Sequence, residues 1–311
     1  DEIHHKYGGI VPELASRQHL ETVIPVVEEA LNQAGVSIDE IDAIGVTQGP
    51  GLVGSILVGL SFAKAVTYVK GMPFVGVNHI EAHPLSVFLT PPNPPLPKGG
   101  SEGFTPNFPF IALVVSGGHT TLFKFKDFCD CEIVGQTRDD AAGEAFDKVA
   151  KLLGLGYPGG AVIDRLARSG NPSAIKFTRP YISKDTFDFS FSGIKTAVLN
   201  YLKDFGKGDY SIIINDLSAG FQEAVVDVLI DKAVAACKAN NIRDLSISGG
   251  VACNTRLREK LAGKSRDNGI RLFLPEAKLC SDNGAMIAAC AYHLLKKGGR
   301  GELDMNAMPS M

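Results

Sequence analysis

Two histidines stand four residues apart in His79-Ile-Glu-Ala-His83. On a helix, positions i and i+4 share a face with Cβ atoms roughly 5–6 Å apart, so both imidazoles can reach one metal at about 2.0–2.1 Å. A zinc-protease helix places its general-base glutamate directly after the first histidine. Here the glutamate is Glu81, about 200° around the helix from His79, which points it away from an ion held between the histidines. The inverted protease motif would need glutamate at the position of Ala82. The pair alone leaves two readings open: a metal pair without the protease base, or two surface or capping histidines. Asp282, in Ser281-Asp-Asn-Gly284, reads by itself as the N-cap of the last long helix. Beside the histidines it reads as a third ligand. Two histidines and one carboxylate with open positions suit Fe(II), and Zn(II) less distinctively.

Glycine-rich turns supply the second kind of chemistry. Ser116-Gly117-Gly118-His119 follows the predicted strand that ends at Val114 and Val115. Glycines there let backbone N–H groups approach an anion, although an ordinary hairpin favours Gly-Gly as well. Ser248-Gly-Gly-Val-Ala-Cys-Asn254 leaves a strand and opens a helix, a place suited to phosphate or nucleotide. Asn254 is there either a nucleoside contact or a helix cap. Gly49-Pro-Gly-Leu-Val-Gly54 fits the dinucleotide fingerprint, but the next strand ends at Val77-Asn78-His79 with no carboxylate for a ribose. A close-packed turn is the reading that remains. Glu144 and Asp147 fall at i, i+3 spacing, Glu144 and Lys148 suit a surface ion pair, and Asp164 lies one turn past Gly160. By themselves these carboxylates mark no site.

The elements that must position these residues alternate as α/β layers. The pattern predicts a helix over 14–34 with Pro25 as a kink and Gly35 as its stop, and a strand over 43–47. A helix over 54–69, a strand over 74–77 and a helix capped by Asn78 follow. Residues 91–106 are rich in proline and glycine and read as an exposed loop inserted between lobes. A second unit begins near Phe110 with strands over 110–115 and 121–125, then helices over 141–153, 160–168 and 218–239. A strand over 245–248, a helix from about Asn254 and a closing helix over 282–295 complete it. The expected division is an N-terminal lobe at 1–107, a C-terminal lobe at 108–283, and a closing helix and tail at 284–311 that pack back on the N-terminal lobe.

Composition narrows the class. The 311 residues carry a net charge of −3, so any contact with RNA would have to come from a local patch or from a partner. Six scattered cysteines form no Cys-x-x-Cys, which excludes zinc ribbons and thioredoxin-like motifs. They read as reduced, mostly buried thiols of a cytoplasmic protein. The opening residues carry no signal-peptide pattern. The longest apolar run, 55–69, is short for a bilayer span and includes Lys64, so no membrane partner is expected.

Taken in order, the motifs resemble the bacterial TsaD family, the tRNA threonylcarbamoyladenosine transferases once labelled sialoglycoprotein endopeptidases. The resemblance is carried by Lys6-Tyr-Gly-Gly-Ile-Val-Pro-Glu-Leu-Ala-Ser-Arg17, Gln48–Gly54, Asn78–His83 and Val114-Val-Ser-Gly-Gly-His-Thr120. It continues through Asp139–Lys148, Tyr157–Gly160, Phe189-Ser-Phe-Ser-Gly-Ile-Lys-Thr196, Ser248–Asn254 and Ser281–Met286. Members share an opening strand pair and a phosphate-facing loop that precede the first of these motifs, so the resemblance implies that this chain lacks that segment and leaves a sheet edge unpaired.

The resemblance implies an actin-like, Hsp70-like and sugar-kinase-like ATPase fold, with two α/β lobes around a cleft. It implies transfer of threonylcarbamoyl from threonylcarbamoyl-AMP to adenosine 37 of tRNAs that read codons beginning with A. His79, His83 and Asp282 match the family's metal ligands, for Fe(2+) or Zn(2+). Val114, Val115, Ser116, Gly117, Gly118, Asp147, Gly160, Asp164 and Asn254 match its contacts to substrate and an ATP- or ADP-like nucleotide. No residue matches a covalent nucleophile. The implied partners are tRNA, TsaB and TsaE, with TsaC supplying the adenylate. Two rival readings are a metalloprotease and a non-catalytic ATP-binding scaffold.

Overall fold

The computed structural model describes residues 9–89, 105–180, 186–206 and 210–311. Most of the proline-rich loop expected at 91–106 lies outside them. The first elements are α1 (Pro12–Ala34), β1 (Ile44–Gly49), α2 (Val53–Lys70), β2 (Phe74–Asn78) and α3 (His79–Ala82), which runs into a 3-10 turn at His83–Leu89. Next come β3 (Phe110–Val115), β4 (Thr120–Asp127), β5 (Asp130–Gln136), α4 (Ala142–Leu152), α5 (Gly159–Ala167), α6 (Ser192–Phe205) and α7 (Ile214–Ala239). The chain closes with β6 (Asp244–Ser248), a 3-10 turn at Gly250–Cys253, α8 (Thr255–Asp267), β7 (Arg271–Phe273), α9 (Ala277–Cys280) and α10 (Gly284–Lys296).

Two compact units result, one of Asp1–Leu85 with Asn283–Met311 and one of Ser86–Asp282. The boundary therefore falls at Leu85/Ser86 and not at 107/108. Aromatic packing explains the shift: Phe88 stacks on Phe108 at 5.7 Å and meets Phe110 and Phe128 at 6.0 and 4.8 Å, which joins the segment after His83 to the second unit.

In the first unit, β1 and β2 pair in parallel, and Val46, Leu60, Ala63 and Phe74 form a small core. α1 continues through Pro25 and ends where Gly35 turns left-handed at φ 68°. α10 packs on β1, β2 and α3. It comes so close to β1 that a Cβ on Gly45 would stand 2.3 Å from the Cβ of Ala291, so only glycine permits this approach. The glycine-rich segment 49–54 serves packing, as the close-turn reading expects. Gly51 N–H donates to Pro309 O at 3.2 Å, and Met308 N–H to Gln48 O at 2.8 Å. α2 is long and apolar enough by composition to cross a membrane. Here it lies against α1 and β1, buries Ile56, Leu60 and Ala63, and sends the Lys64 ammonium to the Met305 carbonyl.

The second unit is built on a five-stranded sheet ordered β5-β4-β3-β6-β7. β3 pairs antiparallel with β4 and parallel with β6, so the sheet is mixed. Every residue of β3 is buried, which accounts for its unbroken apolar run Phe-Ile-Ala-Leu-Val-Val. β5 was not apparent in the sequence, because its residues are mostly exposed or half-exposed and lack apolar alternation. α7 is buried nearly all round and forms the centre of the core with Phe146, Phe221 and Ile247. The register brings Val114 opposite Ser248. The turn after β3 and the glycines after β6 thus emerge side by side, at the carboxyl ends of two parallel strands, where open α/β sheets bind ligands.

Candidate functional site

Asn78 starts the first cluster. Its side chain caps α3 by accepting from Ile80 N–H at 3.0 Å and Glu81 N–H at 3.3 Å, and it donates to the Glu81 carboxylate at 2.9 Å. That bond holds Glu81 on the capping side, and burial pushes its carboxyl above the usual range despite the bond from Asn78. The regular helix expected to carry both histidines is only four residues long, and His83 sits at its junction with the 3-10 turn. The two rings still meet edge to face, with centroids 4.9 Å apart. His83 is fully buried and His79 half-buried.

Asp282 does not cap α10. Asn283 does, accepting from Met286 N–H at 2.9 Å. An asparagine amide fills the capping role, and the carboxylate one residue earlier is directed elsewhere. Donor atoms of His79, His83 and Asp282 all lie within 4.8 Å of one another. Two imidazoles and one carboxylate are a donor set that fits Fe(II) or Zn(II), so the three residues suit a metal of that class.

The second cluster lies wholly within the second unit. Ser116 N–H donates to His119 O at 2.8 Å, and His119 N–H returns a bond to Ser116 Oγ at 3.1 Å. Gly117 and Gly118 are left exposed, with no atom within 4 Å of where a Cβ would stand. The start of α4 docks on this turn through Gly143 N–H to Ser116 O at 3.2 Å and Ala142 N–H to Thr120 Oγ1 at 2.9 Å. Gly249, at φ 91°, packs against the other side of β3, where a Cβ would stand 2.3 Å from Val115 O. Val114 and Val115 are fully buried, so their side chains belong to the core and only their backbone is placed for a ligand.

Asp147 accepts from Gly159 N–H at 2.7 Å and is also bonded by Gly160 N–H, which fixes the turn into α5. Burial raises its carboxyl above the ordinary value, against those two bonds, and the charge of Glu144 adds to the rise. Glu144 itself pairs with Lys148 at 2.8 Å, the surface ion pair expected of that spacing. Asp164 is 8% exposed and lines a cavity of about 480 Å³ with Arg168, Gln222, Glu223, Thr255 and Arg256. Its Oδ2 accepts from Arg168 at 2.9 Å and from Thr255 Oγ1 at 3.1 Å, while its buried Oδ1 has no partner. Asn254 caps α8, accepting from Leu257 N–H at 2.9 Å, and donates to Gln222 at 2.7 Å. The cap reading thus holds for this residue, and Gln222 is held at the cavity wall by it.

Arg168, Gln222, Thr255 and the Glu223–Arg256 pair were not singled out from sequence. Arg168 could have been, since it stands four residues after Asp164 on the same helix. Burial opposes the charge of Glu223, yet hydrogen bonds from Arg256 at 2.7 and 3.0 Å and from Lys260 hold its carboxyl at about 2 against an ordinary 4.5. A depressed carboxyl contributes stability above its unfolded value that is lost as pH falls toward the folded one. Urea unfolding should show the advantage of the native chain over Glu223→Gln shrinking by about 1–2 kcal/mol between about pH 5 and pH 3, after allowance for partial exposure. A difference that does not vary with pH would contradict the ion-pair geometry.

The sequence that carries these motifs is matched over nearly its whole length by a family model. Its description is tRNA N6-adenosine threonylcarbamoyltransferase, and the match covers residues 1–289. The chain belongs to the TsaD family. A Clostridium botulinum (strain Hall) protein named tRNA N6-adenosine threonylcarbamoyltransferase is 49% identical over 308 residues, covering 99% of this chain and 87% of that protein. A Clostridium perfringens (strain 13) protein of the same name is 50% identical over 310 residues, covering 100% and 88%. A Geotalea uraniireducens protein of that name is 51% identical over 307 residues, covering 99% and 86%. Among solved structures, T. kodakarensis HypF aligns with a TM-score of 0.64 at 14% identity, over 88% of this chain and 43% of that one. A full-length HypF in the phosphate- and nucleotide-bound form aligns at 0.61 and 16%, over 88% and 49%. These two show the fold alone. The chain is thus an α/β protein that shares the fold of HypF over most of its length, and an acyltransferase-type enzyme of tRNA modification.

Proposed function

We propose that this chain transfers the threonylcarbamoyl group of threonylcarbamoyl-AMP to the N6 amine of adenosine 37, in tRNAs that read codons beginning with A. Membership of the TsaD family over residues 1–289 carries the reading. The amine attacks the carbamoyl carbon, the bond from that carbon to the phosphate oxygen breaks, AMP leaves, and the amine loses a proton. An exocyclic adenine amine is weakly basic, so positioning does much of the work.

The adenylate phosphate rests against the backbone of Val114–Gly118 at the exposed Gly117-Gly118 turn. The nucleoside half occupies the cavity beside Asp164, whose unpartnered Oδ1 accepts a ribose or base donor. Asp147 and Gly160 fix the turn into α5, the helix that carries Asp164, and Asn254 fixes Gln222. His79, His83 and Asp282 would hold one metal, iron in preference to zinc, which when bound would supply Lewis-acid stabilisation of developing oxygen charge. TsaB, TsaE and tRNA are the working partners, TsaC supplies the adenylate, and the setting is the cytoplasm. The net charge of −3 favours tRNA docking that depends on such partners. Incubation with labelled threonine, ATP, bicarbonate, unmodified tRNA and the partner proteins should place label on tRNA. A folded, metal-loaded chain that leaves tRNA unlabelled overturns the proposal.

A further inference from the structure

Two cysteines outside both clusters face each other across short elements of the second unit. Cys253 ends the 3-10 turn after β6, Cys280 ends α9, and these two elements pack together. Their side chains are direct electrostatic neighbours. Cys253 Sγ lies 3.7 Å from Ala277 O, and Cys280 Sγ lies 3.6 Å from Pro275 O. The backbones are tied by Gly249 N–H to Cys280 O at 2.9 Å. Arg258 spans both segments, donating to Ala252 O at 2.6 Å and to Cys280 Sγ at 3.1 Å.

Access to the two sulfurs is unequal. Cys253 is exposed and Cys280 is fully buried beneath it. A small polar oxidant therefore meets Cys253 first, with a second thiol already in place behind it, the arrangement of a peroxide-reactive thiol and its resolving partner. The neighbouring Cys280 side chain and the positive charge of Arg258 also hold the Cys253 thiol below its ordinary value. The remaining cysteines are half-buried or buried, and burial pushes Cys237 up to about 12.

We propose that Cys253 and Cys280 are a reversible redox modification site, closed to a disulfide by hydrogen peroxide and reopened by a thiol reductant. Cys253 sulfur attacks one peroxide oxygen, forming an S–O bond as the O–O bond breaks, and the released hydroxide takes up the thiol proton as water. Cys280 sulfur then attacks the sulfenic sulfur, an S–S bond forms, and the hydroxyl leaves with the Cys280 proton as a second water. Two thiols lose two electrons in all and the peroxide gains them. The bridge joins the turn that leads into Asn254 to the chain two residues before Asp282, so it ties together segments that border both candidate clusters.

Mass spectrometry of the intact chain tests this without any assay of transfer. The protein is treated with hydrogen peroxide, alkylated with N-ethylmaleimide and digested without reduction. A peptide pair joining Cys253 to Cys280, two hydrogens lighter than the separate peptides and lost after dithiothreitol, is the expected result. Cys253→Ser should remove that pair and leave alkylation of Cys129 and Cys131 unchanged, while Cys280→Ser should drive Cys253 on to sulfinic acid. In the native chain, Cys253 recovered as sulfinic acid, joined to another cysteine, or alkylated as fully as without peroxide would each overturn the proposal.

Discussion

Replacing His83 with alanine is expected to strip the protein of bound iron or zinc, lowering metal affinity by more than about 100-fold. Partners that only orient a metal ligand already cost roughly 10–100-fold when removed, and His83 is one of three donors. Its full burial means that no solvent-exposed side chain can swing in to replace it. Equilibrium dialysis against Fe(II) or Zn(II), followed by elemental analysis, measures the loss, and circular dichroism checks that the variant folds. Transfer to tRNA should fall with metal content. The companion variant Glu81→Gln separates this account from a protease. Glu81 is bonded to Asn78 on the capping side, so its amide should keep both metal and transfer, whereas a protease base would be lost. Stoichiometric metal on His83→Ala would remove the His79–His83–Asp282 site from consideration.

The second large effect is expected at Asp164. Asparagine keeps the volume and loses the charge, and one of its two positions becomes a donor. The Oδ2 bonds to Arg168 and Thr255 weaken, and the buried Oδ1 no longer accepts from a ligand with full charge. Hydrogen bonds to charged groups contribute about 1.5–3 kcal/mol, so affinity for AMP should drop about 10- to 150-fold. Calorimetry with AMP on the native chain and on Asp164→Asn reads this directly, with Thr255→Val as a milder perturbation of the same carboxylate. An unchanged affinity would move the nucleoside half out of this cavity.

How much of this could be read from the chain depends on the range of the interaction. The histidine pair was legible because i, i+4 spacing is local, and the two rings meet although the helix is only one turn long before it tightens. The Asn78 cap was legible for the same reason. Asp282 was ambiguous because Asp and Asn both cap helices, and two such residues stand side by side before Gly284. Only the structure assigns the cap to Asn283. The Asp164–Thr255 bond joins residues 91 positions apart, and Asn254–Gln222 joins residues 32 apart, so no spacing rule reaches them. The boundary at Leu85/Ser86 was missed because the proline-rich run draws attention to composition, while the aromatic contacts of Phe88 decide where the second unit begins.

Nucleoside mass spectrometry of tRNA reads the proposed transfer to the N6 amine of adenosine 37 without intermediaries. The metal-loaded chain, its partner proteins, threonylcarbamoyl-AMP and an unmodified tRNA that reads a codon beginning with A are incubated, and the tRNA is digested. Threonylcarbamoyladenosine should appear at position 37, and none should form on the same tRNA carrying guanosine there. A folded chain that binds AMP and metal yet leaves adenosine 37 unmodified would contradict the account and leave a nucleotide-binding scaffold in its place.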